Sequence, residues 1–227
     1  MPGETYLFTW SGGKDSAMAL YELRQKQSCE IAALLTTVTS GYDRVSMHGV
    51  RRILLEQQAA SLNIPLKIIS ISTQSSNEEY EQKMSEALLE YRKQGITSVV
   101  FGDIFLADLR AYREQNLAKA GMNAIFPLWS MNTAELARRF IEKGFRAVIT
   151  CIDSNVLDKS FAGRMFDQQF LNDLPQGVDP CGENGEFHSF VFQGPLFRNK
   201  IEFTLGEVVL RDERFYFQDL IPIKNNI

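Results

Sequence analysis

The chain has 227 residues, 44% of them hydrophobic and 23% charged, with a net charge of −4. That length suits one large domain or a core domain with a smaller partner, and the composition is ordinary for a globular protein. An acidic balance argues against broad nucleic-acid binding, which needs a cationic surface to displace counterions. The longest apolar runs, such as residues 31–35, are strand-sized and far short of the roughly 20 residues that span a bilayer. Met1-Pro2-Gly3-Glu4 places no basic region before an apolar stretch, so no secretory signal is expected and the cytoplasm is the expected location. Cys29, Cys151 and Cys181 are scattered and read as reduced thiols; His48 and His188 are too far apart to suggest a metal cluster by themselves.

In chain order, residues 6–9 read as a first strand and 16–26 as a helix. Residues 31–38 form a second strand, and 50–62 a helix ending near Asn63 and Pro65. A third strand at 66–71 is followed by a helix from about Asn77, in which Tyr80, Met84, Leu88 and Tyr91 recur at helical spacing and Gly95 is the stop. Residues 96–101 are a fourth strand, 110–120 a helix closed by Gly121, 132–143 a helix closed by Gly144, and 145–152 another strand. This alternation predicts an α/β fold with a Rossmann-like parallel sheet covered on both faces and ligands at its carboxyl ends. After Asp153 the rhythm changes. Residues 158–174 are expected to be helical, with Phe161, Phe166 and Phe170 in the core, and 176–185 to be turn-rich. Strands are expected at 187–192 and through 203–217, turned around 211–213. The reading divides the chain into residues 1–130, the larger α/β domain, and 131–227, a smaller α+β lobe.

The strongest local signal is Ser11-Gly12-Gly13-Lys14-Asp15-Ser16, between a strand and a helix. Adjacent glycines let the backbone turn sharply and approach an anion, and the first N–H groups of a helix attract negative charge. Ser11 and Ser16 add hydroxyl donors, Lys14 a compact cation, and Asp15 an oxygen ligand for Mg²⁺. The spacing is not that of a Walker loop. The hexapeptide resembles the PP-loop of N-type ATP pyrophosphatases, which grips the β,γ-pyrophosphate while chemistry occurs at the α-phosphorus.

Further stretches carry polar groups. Arg44-Val45-Ser46-Met47-His48-Gly49-Val50 follows the second strand, and Gly102-Asp103-Ile104 the fourth. Asp103 suits a site residue or a helix cap; Met47 and His48 could border adenosine or pack in the core; Arg110 and Glu114 could meet substrate or pair on a helix surface. The final motif is Cys181-Gly182-Glu183-Asn184-Gly185-Glu186-Phe187-His188-Ser189-Phe190-Val191, ending in Gly194-Pro195-Leu196-Phe197. Strand alternation would put Glu186, His188, Phe190 and Phe192 on one face, with His188 either functional or simply paired to a carboxylate.

Together these motifs resemble the diphthine–ammonia ligase family, from about Tyr6 to Phe197. The resemblance implies an adenine nucleotide alpha hydrolase-like fold and an amide ligase using ATP and Mg²⁺. A carboxylate, carried by protein-borne diphthine or by a small molecule, would be adenylated with loss of pyrophosphate and then take ammonia. The implied sites are Ser11 to Ser16, Met47, His48, Gly102 and Asp103 for the nucleotide. Asp15, Glu183, Glu186 and His188 would serve chemistry, and Asn184, Arg110 and Glu114 the substrate. Diphthine-making members carry Gly-Gly-Glu-Tyr-Glu-Thr where this chain has Asn184-Gly185-Glu186-Phe187-His188-Ser189. The latter form is similar to a bacterial branch linked to corrinoid (cobalamin precursor) salvage. A PP-loop sulfur transferase for transfer RNA and a non-catalytic nucleotide-binding regulator are the other readings, and a homodimer is left open.

Overall fold

The computed structural model describes residues 4–26, 29–73 and 76–223; Met1, Pro2 and Gly3, read above for a leader, lie outside them. In chain order the elements are β1 (Glu4–Thr9), α1 (Lys14–Lys26), β2 (Cys29–Thr39), β3 (Arg44–Val45), α2 (Arg52–Leu62), β4 (Leu66–Ile71), α3 (Asn77–Lys93), β5 (Ser98–Val100), α4 (Ala107–Lys119) and β6 (Asn123–Ile125). There follow α5 (Thr133–Glu142), β7 (Arg146–Asp153), α6 (Gln168–Asp173), β8 (Phe187–Gln193), β9 (Phe203–Arg211) and β10 (Phe215–Pro222).

β4, β2, β1, β5 and β6 lie side by side in parallel, and β3 adds a short antiparallel pairing at the end of β2. The chain builds outward from β1 to β2 and β4, then returns to place β5 and β6 on the other side. Connections therefore diverge after β1 and β5, which opens a crevice at their carboxyl ends. A second sheet, β8-β7-β10-β9, is antiparallel throughout.

Local chemistry accounts for the boundaries. In α3, the Ser76 hydroxyl accepts from Glu79 N at 3.2 Å, acidic residues fill the first turn and Arg92 and Lys93 the last, complementing the helix dipole. Asn132 caps α5 in the same way, through Glu135 N at 3.0 Å. α2 ends where Asn63 adopts a left-handed conformation, φ 55°. Alternation in β1 sends Leu7 against Leu88 and Leu117 of α3 and α4. Phe8 joins the opposite cluster, which runs without a break through Leu20 and Leu54 to Phe140, Ile149, Phe170 and Phe190. Each such side chain contributes about 1.5–3 kcal/mol on full burial, so this shared cluster holds the two sheets together.

Two expectations change. β7 leaves the parallel sheet for the antiparallel one, because the chain after it returns by turns and short pieces instead of a crossover helix. Residues 158–174 are not one helix: they hold a single 3₁₀ turn, Lys159–Phe161, then an extended piece bridging Met165 to Val148, then α6. Gly163 breaks the run at φ 81°, and a Cβ there would stand 2.5 Å from the Gln218 amide oxygen. Phe161, Phe166 and Phe170 are nevertheless all buried. The two short strands β3 and β6 carry too few residues to show a period. All three cysteines are free, and among the described residues no helix is long and apolar enough to cross a membrane.

Candidate nucleotide and acid site

The loop after β1 is built by close approach. Gly12 has φ 80°, and a Cβ there would lie 2.8 Å from both the Gln58 Oε1 and the Leu55 Cδ1 atoms. One on Gly13 would meet His48 Cε1 and the Ser189 carbonyl at 3.1 Å, and one on Gly102 would meet the Asp15–Ser16 peptide at 3.1 Å. Glycine is required here by packing as well as by dihedral. The Ser11 and Ser16 hydroxyls lie 2.7 Å apart, and Ser11 Oγ accepts from Gly13 N at 3.2 Å. Behind the loop, fully buried Gln58 accepts from Trp10 Nε1 at 2.9 Å and donates to the Gly12 carbonyl at 3.0 Å and to the Val191 carbonyl.

Residues of the final motif close over this loop. Ser189 Oγ accepts from Lys14 N at 3.2 Å, and Val191 N donates to the Gly12 carbonyl at 2.9 Å. Glu183 accepts from Ile104 N at 2.7 Å, just beyond Asp103 at the end of β5. Burial pushes the Glu183 carboxyl up to about 7. The Ile104 N–H and Lys14 pull it down, while Asp15 and Asp103 push it further up. Asp15 is paired with Lys14 at 2.9 Å; its enclosed position raises its carboxyl, and Lys14 opposes that rise. Asp103 is held by Arg113 through contacts of 2.7 and 3.1 Å.

Asn184 and Glu186 are engaged with each other and with the turn that carries them. Glu186 accepts from Asp179 N and from Asn184 N at 3.0 Å, and from Asn184 Nδ2 at 2.9 Å. The His188 ring lies 4.5 Å from that of His48, tilted by 35°. Burial, then the neighbouring His48 and Lys14, lowers the His188 pKa well below the ordinary histidine value. Burial also takes His48 down to about 4, with Ser189 opposing and Lys14 reinforcing. Both imidazoles are therefore neutral at pH 7, whereas Glu183 titrates near neutrality.

The crevice holds a cavity of about 910 Å³, lined by the phosphate loop, Met47, His48, Asp103, Glu183 and His188 and continuing between α3 and α4 past Tyr80, Met84 and Tyr112. Met47 is 66% exposed at φ 65°, so it borders the opening and is not core. Arg110 and Glu114 lie outside this lining. They pair at 2.8 Å, with the Arg110 guanidinium over the rings of Phe126 and Trp129. Arg113 is the arginine of α4 that reaches the site. Sequence reading missed Gln58, Ser189 and Arg113. Two carried a signal: Gln58 as a polar residue inside the Leu54, Leu55, Ala59, Leu62 stripe of α2, and Ser189 by its place inside the final motif.

The donors suit ATP: hydroxyls and peptide N–H groups meet at the start of α1, beside a cavity in the usual range for small-molecule sites. Among the described residues no group of three or more His, Cys, Asp or Glu converges to hold a metal. Mg²⁺ commonly needs only one or two carboxylates when substrate phosphates and water complete its shell, and Asp15 fits that part.

Models of the diphthamide synthase N-terminal and C-terminal domains match residues 5–124 and 132–224. The diphthine–ammonia ligases of Mus musculus and Homo sapiens are each 27% identical over 223 residues, covering 88% of this chain and 83% of theirs. A solved structure described as a predicted subunit of tRNA methyltransferase from Methanocaldococcus jannaschii overlaps 84% of this chain and 98% of its own, with TM-score 0.45 and 16% identity, a likeness too loose to argue from. With both family models matched across nearly its whole length, the chain belongs to the diphthamide synthase family.

Proposed function

We propose that this chain is an ATP-dependent ligase that adenylates a carboxylate, releases pyrophosphate and transfers ammonia to the activated carbon, with diphthine as the acid. The observation that carries this reading is one cavity joining a phosphate loop to a carboxylate, Glu183, that ionises near neutrality. The relatives named diphthine–ammonia ligase supply the substrate class.

On this reading Ser11, Ser16 and the peptide N–H groups of the loop hold the β- and γ-phosphates, leaving the α-phosphorus toward the acid. Asp15 would hold Mg²⁺, which would supply positive charge to offset the negative charge developing on the departing pyrophosphate. The acid oxygen bonds to the α-phosphorus as the bond to pyrophosphate breaks. Ammonia then attacks the acyl carbon, Glu183 accepts the proton lost by nitrogen, and AMP leaves with the electrons of the broken C–O bond. His48 and His188, being neutral, offer hydrogen-bonding edges to the acid without charge. Residues 1–130 thus supply the nucleotide site and 131–227 the turn that meets the acid. Glu186 and Asn184 shape that turn. Sulfur transfer to transfer RNA, corrinoid salvage and a purely regulatory role draw no support from the relatives or from this donor set.

The test is phosphorus NMR of the protein with ATP, Mg²⁺, ammonia and elongation factor 2 bearing diphthine. AMP and pyrophosphate are the expected products. ADP with orthophosphate, or no nucleotide cleavage, would overturn the reading.

A further inference from the structure

A lysine in a phosphate loop is ordinarily assigned to the phosphate. Lys14 is committed elsewhere. It is the first residue of α1 and 3% exposed. Its Nζ donates to the Cys181 carbonyl and, at 2.9 Å, to Asp15 Oδ2. The same ammonium lies 5.2 Å from the centre of the Phe187 ring and 5.8 Å from that of Phe166. Burying an ammonium is costly unless its donors are met, and here a carbonyl, a carboxylate and two aromatic faces meet them. Swinging out to a phosphate would strip the Cys181 carbonyl of this donor and separate the partly buried pair with Asp15.

The Cys181 carbonyl begins a turn wired as a unit. Asp179 Oδ1 accepts from Cys181 N at 2.9 Å and from Glu183 N at 3.2 Å. Gly182 sits at φ 65°, where a Cβ would stand 2.8 Å from the Phe187 carbonyl. Two residues past the carbonyl that Lys14 holds comes Glu183, anchored at its far end on Ile104 N. Whatever fixes that carbonyl against α1 therefore fixes the spacing between the phosphate loop and the Glu183 carboxylate.

We infer that Lys14 is a positioning residue, which ties the phosphate loop to the turn bearing Glu183 and is not a phosphate ligand. Only the turnover readout of this inference rests on the ligase reading. Phosphate is left to the hydroxyls and peptide N–H groups, none of which belongs to the Lys14 side chain. Loss of the Lys14 side chain displaces Glu183 while leaving the nucleotide its donors.

The experiment compares Lys14→Met, which fills the space between the rings without a donor, with Lys14→Gln, which removes the charge but keeps a donor and is the milder change for folding. For both, affinity for Mg²⁺-ATP by calorimetry is expected to stay within about threefold of the parent, whereas loss of a charged phosphate contact would cost about tenfold or more. In Lys14→Met, amide hydrogen exchange across residues 181–186 is expected to rise about tenfold or more. With diphthine-bearing elongation factor 2 as the acid, kcat for AMP release is expected to fall about a hundredfold with little change in KM for ATP, the effect of a misplaced group and not of lost binding. A tenfold loss of ATP affinity in either variant overturns the inference, and so does unchanged exchange in Lys14→Met. If Lys14→Met does not fold, the affinity of Lys14→Gln decides. A parent that binds ATP yet releases no AMP sinks the ligase reading alone, because affinity and exchange are measured without the acid.

Discussion

Replacing Gln58 by Leu tests whether the loop is held from behind. The side chain is fully buried and makes three hydrogen bonds, to Trp10 Nε1, the Gly12 carbonyl and the Val191 carbonyl. Leucine has nearly the same volume, so cavity formation contributes little. The indole N–H loses its acceptor in a dry environment, which costs about 1–3 kcal/mol. The two carbonyls lose less, since Gly12 O keeps the Val191 N–H at 2.9 Å. Leucine's extra apolar burial offsets about 1 kcal/mol. The net expectation is a destabilisation of about 2–3 kcal/mol. With an m-value near 2–3 kcal/mol/M, the urea midpoint drops by about 1 M, read by tryptophan fluorescence. ATP affinity is expected to fall in parallel, because the Gly12 peptide is no longer oriented. A midpoint within about 0.2 M of the parent, with unchanged affinity, would refute the claim that Gln58 braces the loop.

Asp219 is held by Arg51 at 2.7 and 3.0 Å and by Arg44 at 2.9 Å, and the hydrogen bonds from Arg51 lead in pulling its carboxyl down to about 2. A folded-state value below the unfolded one, about 3.9, means the stabilisation is present above that value and is lost as pH falls through 2. Discounted for its partly exposed arginines, it is worth about 1–2 kcal/mol, so Asp219→Asn should lower the urea midpoint at pH 7 and match the parent near pH 2. Glu183→Gln should leave ATP affinity intact and lower AMP release by about 10²–10⁴. In the parent, that rate should rise with pH through about 7 as Glu183 ionises, and the rise should vanish in the variant; a pH profile that is the same in both excludes Glu183 as the base.

Sequence alone conveyed most of the parallel half of the fold because its longer strands are apolar and its helices amphipathic, and three-residue β5 showed as part of the apolar run 96–101. It could not convey β3 or β6, which are two and three residues long. It also misread residues 158–174, where phenylalanines at loose helical spacing are buried from three different backbone conformations. Within the site, the loop was legible because glycine pairs and a helix start are local features. The division of labour in the final motif was not. Glu183 and Glu186 look alike in sequence, yet one opens onto the cavity and the other is used up by Asp179 N and Asn184. Nor does the motif show that His188 is enclosed beside a second imidazole and a lysine, which together with burial lower its pKa. Such distinctions depend on what lies across space, and Ile104 and Asp179 are not neighbours that a motif can name.

The site lies on a seam, and the seam is joined by polar links, most of them buried, over a shared apolar cluster. Lys14 meets the Cys181 carbonyl, Ser189 meets Lys14 N, Gln58 spans Gly12 and Val191, and Asp219 clasps Arg44 and Arg51 on either side of Met47 and His48. Apolar contacts press the sheets together but tolerate sliding, since a displaced methyl group finds other carbon to touch. A hydrogen bond contributes only about 1 kcal/mol net when made, but a buried partner left unmet costs about 1–3 kcal/mol. These links therefore act less by adding stability than by penalising every other register of the two halves. The spacing between the loop after β1 and Glu183 is the quantity so fixed. Sliding one half by a single ångström would orphan several of these groups at once, so on the proposed ligase reading the same polar atoms that brace the fold also set the reacting distance.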